Sequence, residues 1–168
     1  MLTSSAAVVL GNVSPSQAAA GIKRGLPGGD PSLLVVPPVE QWRSDYVFLT
    51  PDRYAFDFAT IIAPPDTALR LDGAPLDPTT CIQSAGDGLT ELQRGTPTPP
   101  YIIHTCQLGF AIVDSTKLAP DNLTPGEQDD GTHRLEASAP VGLLISGFDS
   151  FVSYSYAGGT DLRELDNK

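Results

Sequence analysis

Residues 39–64 read VEQWRSDYVFLTPDRYAFDFATIIAP, and this stretch decides the predicted fold. It holds two runs rich in aromatic and β-branched residues, 45–50 and 53–63, and both favour β-strands. Pro51 and Asp52 separate the runs. Because Pro presets φ and Asp can hydrogen-bond its own backbone, this pair predicts a turn. The stretch therefore predicts a β-hairpin.

The second run of this hairpin alternates like a strand with one buried face. Successive side chains of a strand point to opposite faces. One face then carries Tyr54, Phe56, Phe58 and Thr60, and the other carries Ala55, Asp57, Ala59 and Ile61. We expect the aromatic face to be buried. Since two strands alone are marginally stable in water, further strands must cover that face.

The rest of the chain predicts many short strands and two long loops. Strand-like runs occur at residues 3–10, 32–36, 67–71, 74–76, 101–113, 132–137, 141–148 and 151–156. Along residues 101–113 the predicted inward set is Ile102, His104, Cys106, Leu108, Phe110 and Ile112. Residues 78–100 and 115–131 contain few large apolar side chains and are predicted to be long loops, which in compact domains are often functional. The prediction is an all-β fold, an antiparallel, jelly-roll-like β-sandwich with two long loops, although a propeller-like arrangement fits the same pattern.

The two ends of the chain resemble each other weakly. Leu2, Ser5, Ala6, Val8 and Leu10 match Leu135, Ser138, Ala139, Val141 and Leu143 at a constant offset. Such an echo is expected when one module is cut from a tandem array. We therefore expect residues 1–30 to be a strand and loop left from a preceding unit, and residues 31–165 to form the β-sandwich module.

The charge of the chain restricts its partners. Twenty acidic and ten basic residues give a net charge of −10 and a pI near 4.3. Such a chain repels phosphate backbones and anionic membrane surfaces, so we expect neither nucleic acid binding nor membrane insertion. The apolar run near the N-terminus is short and no Lys or Arg precedes it, which does not favour a signal peptide.

The two cysteines, Cys81 and Cys106, allow two interpretations. One is a catalytic or metal-binding thiol, with His104 two positions from Cys106. The other is a disulfide that closes a loop of about 25 residues. Two Cys and one nearby His fall short of a four-ligand zinc set. The sequence therefore favours the disulfide, which implies an oxidising compartment.

Catalytic candidates are few. His104 and His133 are the imidazoles of the chain. We expect His104 to be a satisfied core histidine and His133 to be solvated. Asp45, Asp52 and Asp57 can form a carboxylate site of a hydrolase, but Asp57 is expected to be an exposed or hydrogen-bonded strand residue. Since the common nucleophile, zinc and nucleotide motifs do not occur, we predict no catalytic residue and no cofactor.

The sequence leaves two alternatives for a binding surface, a calcium site and a glycan-binding platform. Acidic side chains in the second loop can supply oxygen ligands for Ca²⁺, although the spacing departs from the EF-hand pattern and a solvated acidic loop is favoured. These residues are Asp121, Glu127, Asp129 and Asp130. Aromatic rings can stack on sugar faces, although core packing is favoured. The rings in question are Trp42, Phe148, Phe151, Tyr154 and Tyr156.

Several of these segments resemble a known family. The most specific are EQW at residues 40–42, APV at 139–141 and GFDS at 147–150. They lie in two stretches, residues 33–72 and 132–162, that resemble the domain named for the IgG-Fc-binding protein. Bacterial surface and secreted proteins carry similar modules. The resemblance implies a non-catalytic, extracellular β-rich module for adhesion or recognition, and it does not identify the ligand.

Three hypotheses follow for the function. The first is an extracellular or cell-surface module of a larger protein, in one version anchored to an outer membrane through that protein, that binds a protein or glycan on another surface. The second is a structural spacer whose loops contact neighbouring modules of the same protein. The third is a hydrolase with an unrecognised carboxylate site.

Overall fold

The computed structural model of the chain describes residues 4–6, 8–23, 25–52 and 54–162. Within these ranges the chain forms twelve strands, a 3-10 helix at Val39–Gln41 and a four-residue α-helix, α1, at Glu91–Arg94. Neither described helix has the length and hydropathy that crossing a membrane requires. The strands are β1 (Leu10–Ser14), β2 (Ser32–Val36), β3 (Arg43–Thr50), β4 (Phe56–Ala63), β5 (Leu69–Leu71), β6 (Ala74–Pro75), β7 (Cys81–Ala85), β8 (Ile102–Gln107), β9 (Gly109–Val113), β10 (Leu123–Gln128), β11 (Gly131–Asp149) and β12 (Val152–Ala157).

The long strand β11 belongs to two antiparallel sheets. Its first half pairs with β3 on one edge and β5 on the other, and β6 extends that first sheet. Its second half pairs with β4 and β12, and β8 and β7 extend that second sheet. The register against β3 shifts between Glu136 and Val141, where Pro140 lacks a backbone N–H and the strand turns from one sheet into the other. The predicted all-β, antiparallel, sandwich-like fold is confirmed.

The core lies between the two sheets. Side chains of β11 from both sides of the bend fill it, and Leu135, Val141, Leu143 and Ile145 are each at most 1% exposed. Burying a side chain of this size stabilises the fold by about 1.5–3 kcal/mol. Tyr46 of β3 adds a polar link, because its hydroxyl donates to the Val141 carbonyl oxygen at 2.5 Å.

The predicted faces of β4 are reversed. The fully buried face carries Asp57, Ala59, Ile61 and Ala63, and the aromatic face is half-buried. These side chains face the core because the first sheet packs against this side of β4. On the outer face Phe56 and Phe58 stack on Phe148, and the segment at Gly29 approaches Phe148 closely.

The predicted β-hairpin does not form. Among the described residues β3 and β4 pair with the two halves of β11 and not with each other.

Several predicted boundaries are also wrong. Residues 132–137 and 141–148 are one strand, β11, because its bend accommodates Pro140. The predicted loop 115–131 contains β10, whose backbone pairs with β9 although its sequence, LTPGEQ, lacks a strand pattern. The predicted loop 78–100 contains β7 and α1.

The remaining differences concern the first and ninth strands. The strand predicted at residues 3–10 forms as β1 at Leu10–Ser14, and residues 3 and 7 lie outside the described ranges. The inward set predicted along residues 101–113 holds as far as Leu108. Beyond it Phe110 and Ile112 are exposed, because the chain leaves β4 there and pairs with β10 instead.

The expected disulfide is present. Cys81 and Cys106 are directly paired residues of β7 and β8, and the bond joins them across the second sheet. Both cysteines are buried in the core. The bond therefore fixes the edge strand β7 to the rest of the sheet.

Replacing both cysteines with alanine should lower the free energy of unfolding by about 3 kcal/mol, because the unfolded chain regains the freedom of a closed loop. Chemical denaturation followed by fluorescence measures the loss. Wild-type protein in reducing buffer is the matched control and should show a similar loss. Equal midpoints for the oxidised wild type and the double variant would contradict this role of the disulfide.

Candidate functional site

One end of the sandwich core is polar. Among the described residues, the buried polar side chains are Thr50, Asp57, Asn122 and His133. Thr50 ends β3, His133 lies near the start of β11, and Thr50 Oγ1 lies 3.0 Å from His133 Nε2. Asp57 lies near the start of β4 and interacts electrostatically with His133. We call this region, formed by Thr50, Asp57, His133 and Tyr154, the polar end.

His133 is buried, so the prediction that it is solvated is wrong. It is 2% exposed because the alternation of β11 places it on the same face as Leu135, and its ring stacks on Phe48 with centroids 5.1 Å apart. Its Nδ1 lies 2.8 Å from Asp72 Oδ2, and its Nε2 lies 3.0 Å from the Asp129 carbonyl oxygen. Both ring nitrogens are thus engaged.

Asp72, His133 and Thr50 are arranged in the order of a catalytic triad, but their surroundings do not favour nucleophilic catalysis. Thr50 is 1% exposed. Its hydroxyl donates to the Asp129 carbonyl oxygen at 3.2 Å and accepts from the Gly131 N–H at 3.1 Å. A nucleophile must reach its substrate, and this hydroxyl instead connects β3 to the start of β11. The network stabilises the fold at this end.

Asp57 lacks a full set of hydrogen bonds. It is completely buried; its Oδ1 accepts a hydrogen bond from the Tyr154 hydroxyl, whereas its Oδ2 has no partner among the described residues. The amide nitrogen and oxygen of Gln128 are also buried without a partner. A Cβ atom on Gly109 would stand 3.0 Å from Asp57 Oδ2 and 2.7 Å from Gln128 Oε1. We call this group the Gly109 cradle: Asp57 Oδ2, the Gln128 amide and the glycine beside them.

The carboxylates at this end of the core disfavour one another's ionised form. The pKa of Asp57 is raised from 3.8 to about 6, chiefly by burial and in smaller part by the charge of Asp130. The hydrogen bond from Tyr154 and the proximity of His133 act in the opposite direction. Burial and then the charges of Asp52 and Asp129 raise the pKa of Asp130. Close, mutually repelling carboxylates in a partly buried region are typical of functional sites.

A cavity of about 460 Å³ opens beside this group. Its lining includes the carboxylates Asp52, Asp130 and Asp149, together with Tyr54 and Gln128, and none of the described lining residues is basic. It lies where the turn before β4, the second predicted loop and the end of β11 meet. We call it the acidic cavity.

The two predicted loops lie at opposite ends of the second sheet. The chain between β7 and β8 begins and ends beside Ala63, the last residue of β4. The acidic cavity instead lies at the start of β4, and Pro120 of the second loop lines it. In the first loop the Arg94 guanidinium donates to both carboxylate oxygens of Asp87. Because of this separation, we assign the candidate site to the second loop alone.

Of the three carboxylates considered for the hydrolase alternative, Asp45 lies apart from the other two. Asp45 lies on the outer face of the first sheet, where Arg134 Nη2 contacts its Oδ2 at 2.5 Å. Asp52 lines the acidic cavity, and Asp57 lies buried in the polar end. The predicted hydrogen-bonded state of Asp57 is found, but the residue is not exposed.

The four acidic residues considered as calcium ligands, for which a solvated loop was the favoured interpretation, do not form one cluster within the described ranges. Among the described residues, the ligand atoms that approach within 4.8 Å of one another belong to Asp72, Asp129 and His133. Only Asp129 of this set was among the predicted ligands, and both nitrogens of His133 are already hydrogen-bonded. This geometry does not assemble the six or more oxygen ligands that Ca²⁺ takes.

The five aromatic residues considered as a glycan-binding platform, for which core packing was the favoured interpretation, are dispersed. Trp42 packs against Tyr101 at the far end of the second sheet, with ring centroids 5.4 Å apart. Tyr154 and Tyr156 are on the inner face of that sheet and Phe148 is on the outer face. Of this set only Phe151 is exposed, and it lies in the turn between β11 and β12, two positions after Asp149 of the acidic cavity.

His104 faces the core as predicted but is not satisfied. Its Nδ1 is buried and has no partner among the described residues, and burial lowers its pKa. The sequence also gave no sign of Gln128, Tyr154 or Asp72 as neighbours of the polar end. The Asp72-Gly73 pair signalled only a turn, and the other two meet their partners through long-range strand pairing.

Comparison with known proteins identifies the family. The model of a family described as IgGFc binding protein matches residues 1–147. The chain belongs to the IgGFc-binding protein family. No curated protein and no solved structure gives a significant match. This family is named for binding and not for catalysis, which agrees with the buried, fully engaged hydroxyl of Thr50.

The polar end predicts a pH effect on stability. Because the folded state holds a proton on Asp57 more tightly than the unfolded state does, wild-type stability should fall as the pH rises from about 4 through about 6. Asp57→Asn keeps the Tyr154 hydrogen bond without the charge. Above pH 6 this variant should be more stable than wild type by roughly 1–3 kcal/mol.

Melting temperature measured against pH tests this expectation. The difference between wild type and Asp57→Asn should appear only as Asp57 ionises, since the other carboxylates are common to both proteins. Asp121→Asn, at an exposed carboxylate of the second loop, is the matched control. Parallel pH curves for wild type and Asp57→Asn would show that Asp57 titrates normally.

Proposed function

We propose that this chain is an extracellular, non-catalytic recognition module of a larger surface protein. It binds a protein partner at the surface formed by the acidic cavity and the turn after β11. Membership of the IgGFc-binding protein family supports a protein partner, and the family's name makes the Fc part of IgG the first to test. A glycan partner is the alternative within the same function.

The observation that carries this proposal is the conformation of Phe151. The side chain is 58% exposed and the residue has φ 62°, a left-handed conformation that aromatic residues rarely adopt. Strain of this kind costs on the order of 1 kcal/mol and is concentrated at binding and switch regions. Phe151 follows Asp149 of the acidic cavity by two positions, so a large apolar side chain is held in solvent next to a concave acidic surface. Exposed aromatic residues beside a pocket are typical anchors of protein interfaces.

The exposed apolar surface extends beyond Phe151. Val152 is exposed at the start of β12, and Leu118 is exposed in the second loop. Pro120 and Leu123 of the same loop segment line the cavity. Apolar side chains in the same segments as a charged depression give a partner contact area, and the charges give a means of discrimination.

Substitution of Phe151 by Gly should separate binding from folding. Glycine accepts φ 62° without strain, so stability should be unchanged or slightly higher, while capture of IgG Fc should weaken about tenfold or more, which is 1.4 kcal/mol. Biolayer interferometry with immobilised Fc measures the change. Fab fragments should not bind.

Two matched controls locate the surface. Val47→Ser removes an exposed apolar side chain from the outer face of β3, and Leu92→Ser removes one from α1 at the opposite end of the second sheet. Both variants should bind Fc like wild type. No saturable binding of Fc would contradict Fc as the partner, and binding of a glycan array dependent on Phe151 would favour the glycan alternative.

One observation favours the spacer hypothesis as a second candidate. The two-stranded ribbon of β1 and β2 packs on β12, where Ser155 Oγ donates to Ser32 Oγ at 3.1 Å. The other face of this ribbon exposes Val13, Leu33 and Val35, which the strand register places side by side. An uncharged apolar ribbon face is suited to packing on a neighbouring module. The division into a preceding remnant, residues 1–30, and a module, residues 31–165, stays a prediction.

A fusion of two copies joined by a flexible linker tests this second candidate. If the ribbon packs on a neighbouring module, the contact adds to the free energy of unfolding. The melting temperature of the fusion should then lie about 2–4 °C above that of the single chain for each kcal/mol that the contact adds. The double variant Leu33→Lys/Val35→Lys should remove that gain without changing the melting temperature of the single chain. Equal melting temperatures for fusion and single chain would argue against module packing through this face.

A further inference from the structure

We propose that the acidic cavity receives the side-chain ammonium group of a lysine on the protein partner. This inference rests on the proposed function and adds the chemistry of the contact. The cavity, the Gly109 cradle beneath it and the charges around both support it.

The first support is the charge of the cavity. Asp130 and Asp149 line it, none of its described lining residues is basic, and Asp129 adjoins Asp130 in sequence. The raised pKa of Asp130 shows that its charged form is disfavoured by burial and by neighbouring carboxylates. A bound cation would relieve this repulsion, so the fold holds in advance the electrostatic conditions that favour a positive ligand.

The second support is independent of that charge. Asp57 is completely buried, yet its Oδ2 has no partner, and the adjacent Gln128 amide has none at either end. Buried polar atoms without partners are costly, and in native proteins they call for an explanation such as a bound ligand. The Gln128 side chain lines the cavity and its amide lies beside Asp57 Oδ2, so it connects the cavity to the buried carboxylate.

The geometry of the cradle favours an ammonium group over a guanidinium group. Asp57 Oδ2 and Gln128 Oε1 lie on the same side of Gly109, as two unpartnered acceptors that belong to separate side chains. An ammonium group is compact and has three rotatable donors, whereas a guanidinium group is a wide planar fork that matches a single carboxylate. The remaining ammonium donor would point toward the cavity carboxylates.

The buried carboxylate also gives the contact a pH dependence. Asp57 attracts an ammonium group by its charge only while it is ionised, and its pKa is about 6. The charged and titratable groups that interact with it are Asp130, His133, Tyr154 and Tyr156. Affinity for an ammonium ligand should therefore fall as the pH is lowered through about 6.

Titration of the intact chain with a lysine analogue, followed by two-dimensional NMR, tests the proposal. The probe is Nα-acetyl-lysine methylamide; the uncharged matched probe is the norleucine analogue, and the arginine analogue compares the two cations. We expect saturable shifts at Gly109 and at the Gln128 side-chain amide, strongest with lysine. Equal shifts with norleucine, or stronger binding of arginine than lysine, would overturn the proposal.

Two variants and one control assign the contact. Asp130→Asn and Gln128→Leu should each weaken binding of the lysine probe about fivefold or more, roughly 1 kcal/mol. Asp121→Asn, in the same loop but outside the cavity lining, should bind it like wild type. Loss of binding in Asp121→Asn to the same extent would show a diffuse charge effect instead of a site. Saturation of the same signals by CaCl₂ at lower concentration than by the probe would show an inorganic cation site and overturn the assignment to lysine.

The outcomes separate this inference from the proposed function. Capture of Fc that depends on Phe151, with no response to the lysine probe, would overturn the lysine contact and leave the recognition function in place. Binding of the probe without capture of Fc would leave the cation site in place and overturn Fc as the partner. Arg53 adjoins Asp52 in sequence, and Arg53→Ala should bind the probe as well as wild type or more tightly; weaker binding would contradict an acidic site.

Discussion

The whole structure depends on one strand that takes part in both sheets. β11 is nineteen residues long, and its two halves supply the central pairing partner of the first and the second sheet in turn. Because side chains alternate along a strand, one bend near Pro140 must keep the same face inward on both sides of it. Leu135 before the bend and Leu143 after it both lie in one core, so the two sheets close on each other.

That constraint also produces the polar end. The inner face of β11 runs the full length of the core, from His133 at one extremity to Gly147 at the other, and the bend brings both extremities to the same end of the sandwich. Gly147 is required there, since a Cβ would stand 2.5 Å from Asp57 Oδ1 and 2.7 Å from the Phe56 carbonyl oxygen. The space left by the glycine admits a buried carboxylate where an apolar side chain would cost less. Packing thus creates the position, and the choice of Asp57 gives it a charge.

The sequence could predict what local chemistry controls. The strands β3 and β4 followed from β-branched and aromatic runs on either side of Pro51-Asp52, and the disulfide followed from two cysteines in a chain without a zinc pattern. The pairing of these two strands as a hairpin was predicted wrongly, because each finds a hydrogen-bonding partner in a different half of β11. The sequence could not predict which face of β4 is inward, because aromatic residues suit either a core or a partly covered outer face, and only the opposing sheet decides. His133 was misassigned for the same reason: its burial depends on Phe48 and Asp72, which are distant in sequence.

The features that local rules could not predict are the ones that converge on a single end of the molecule. Phe151 holds a large apolar side chain in solvent at an unfavourable φ, and Asp57 holds a charge away from water with one oxygen unpartnered. Each lowers the stability of the isolated chain, and neither is needed to close the core, which Leu143 and Ile145 fill. Departures from local consistency are expected where a protein has given up stability for function. The proposed partner, which covers the ring and neutralises the charge, would account for both departures at once.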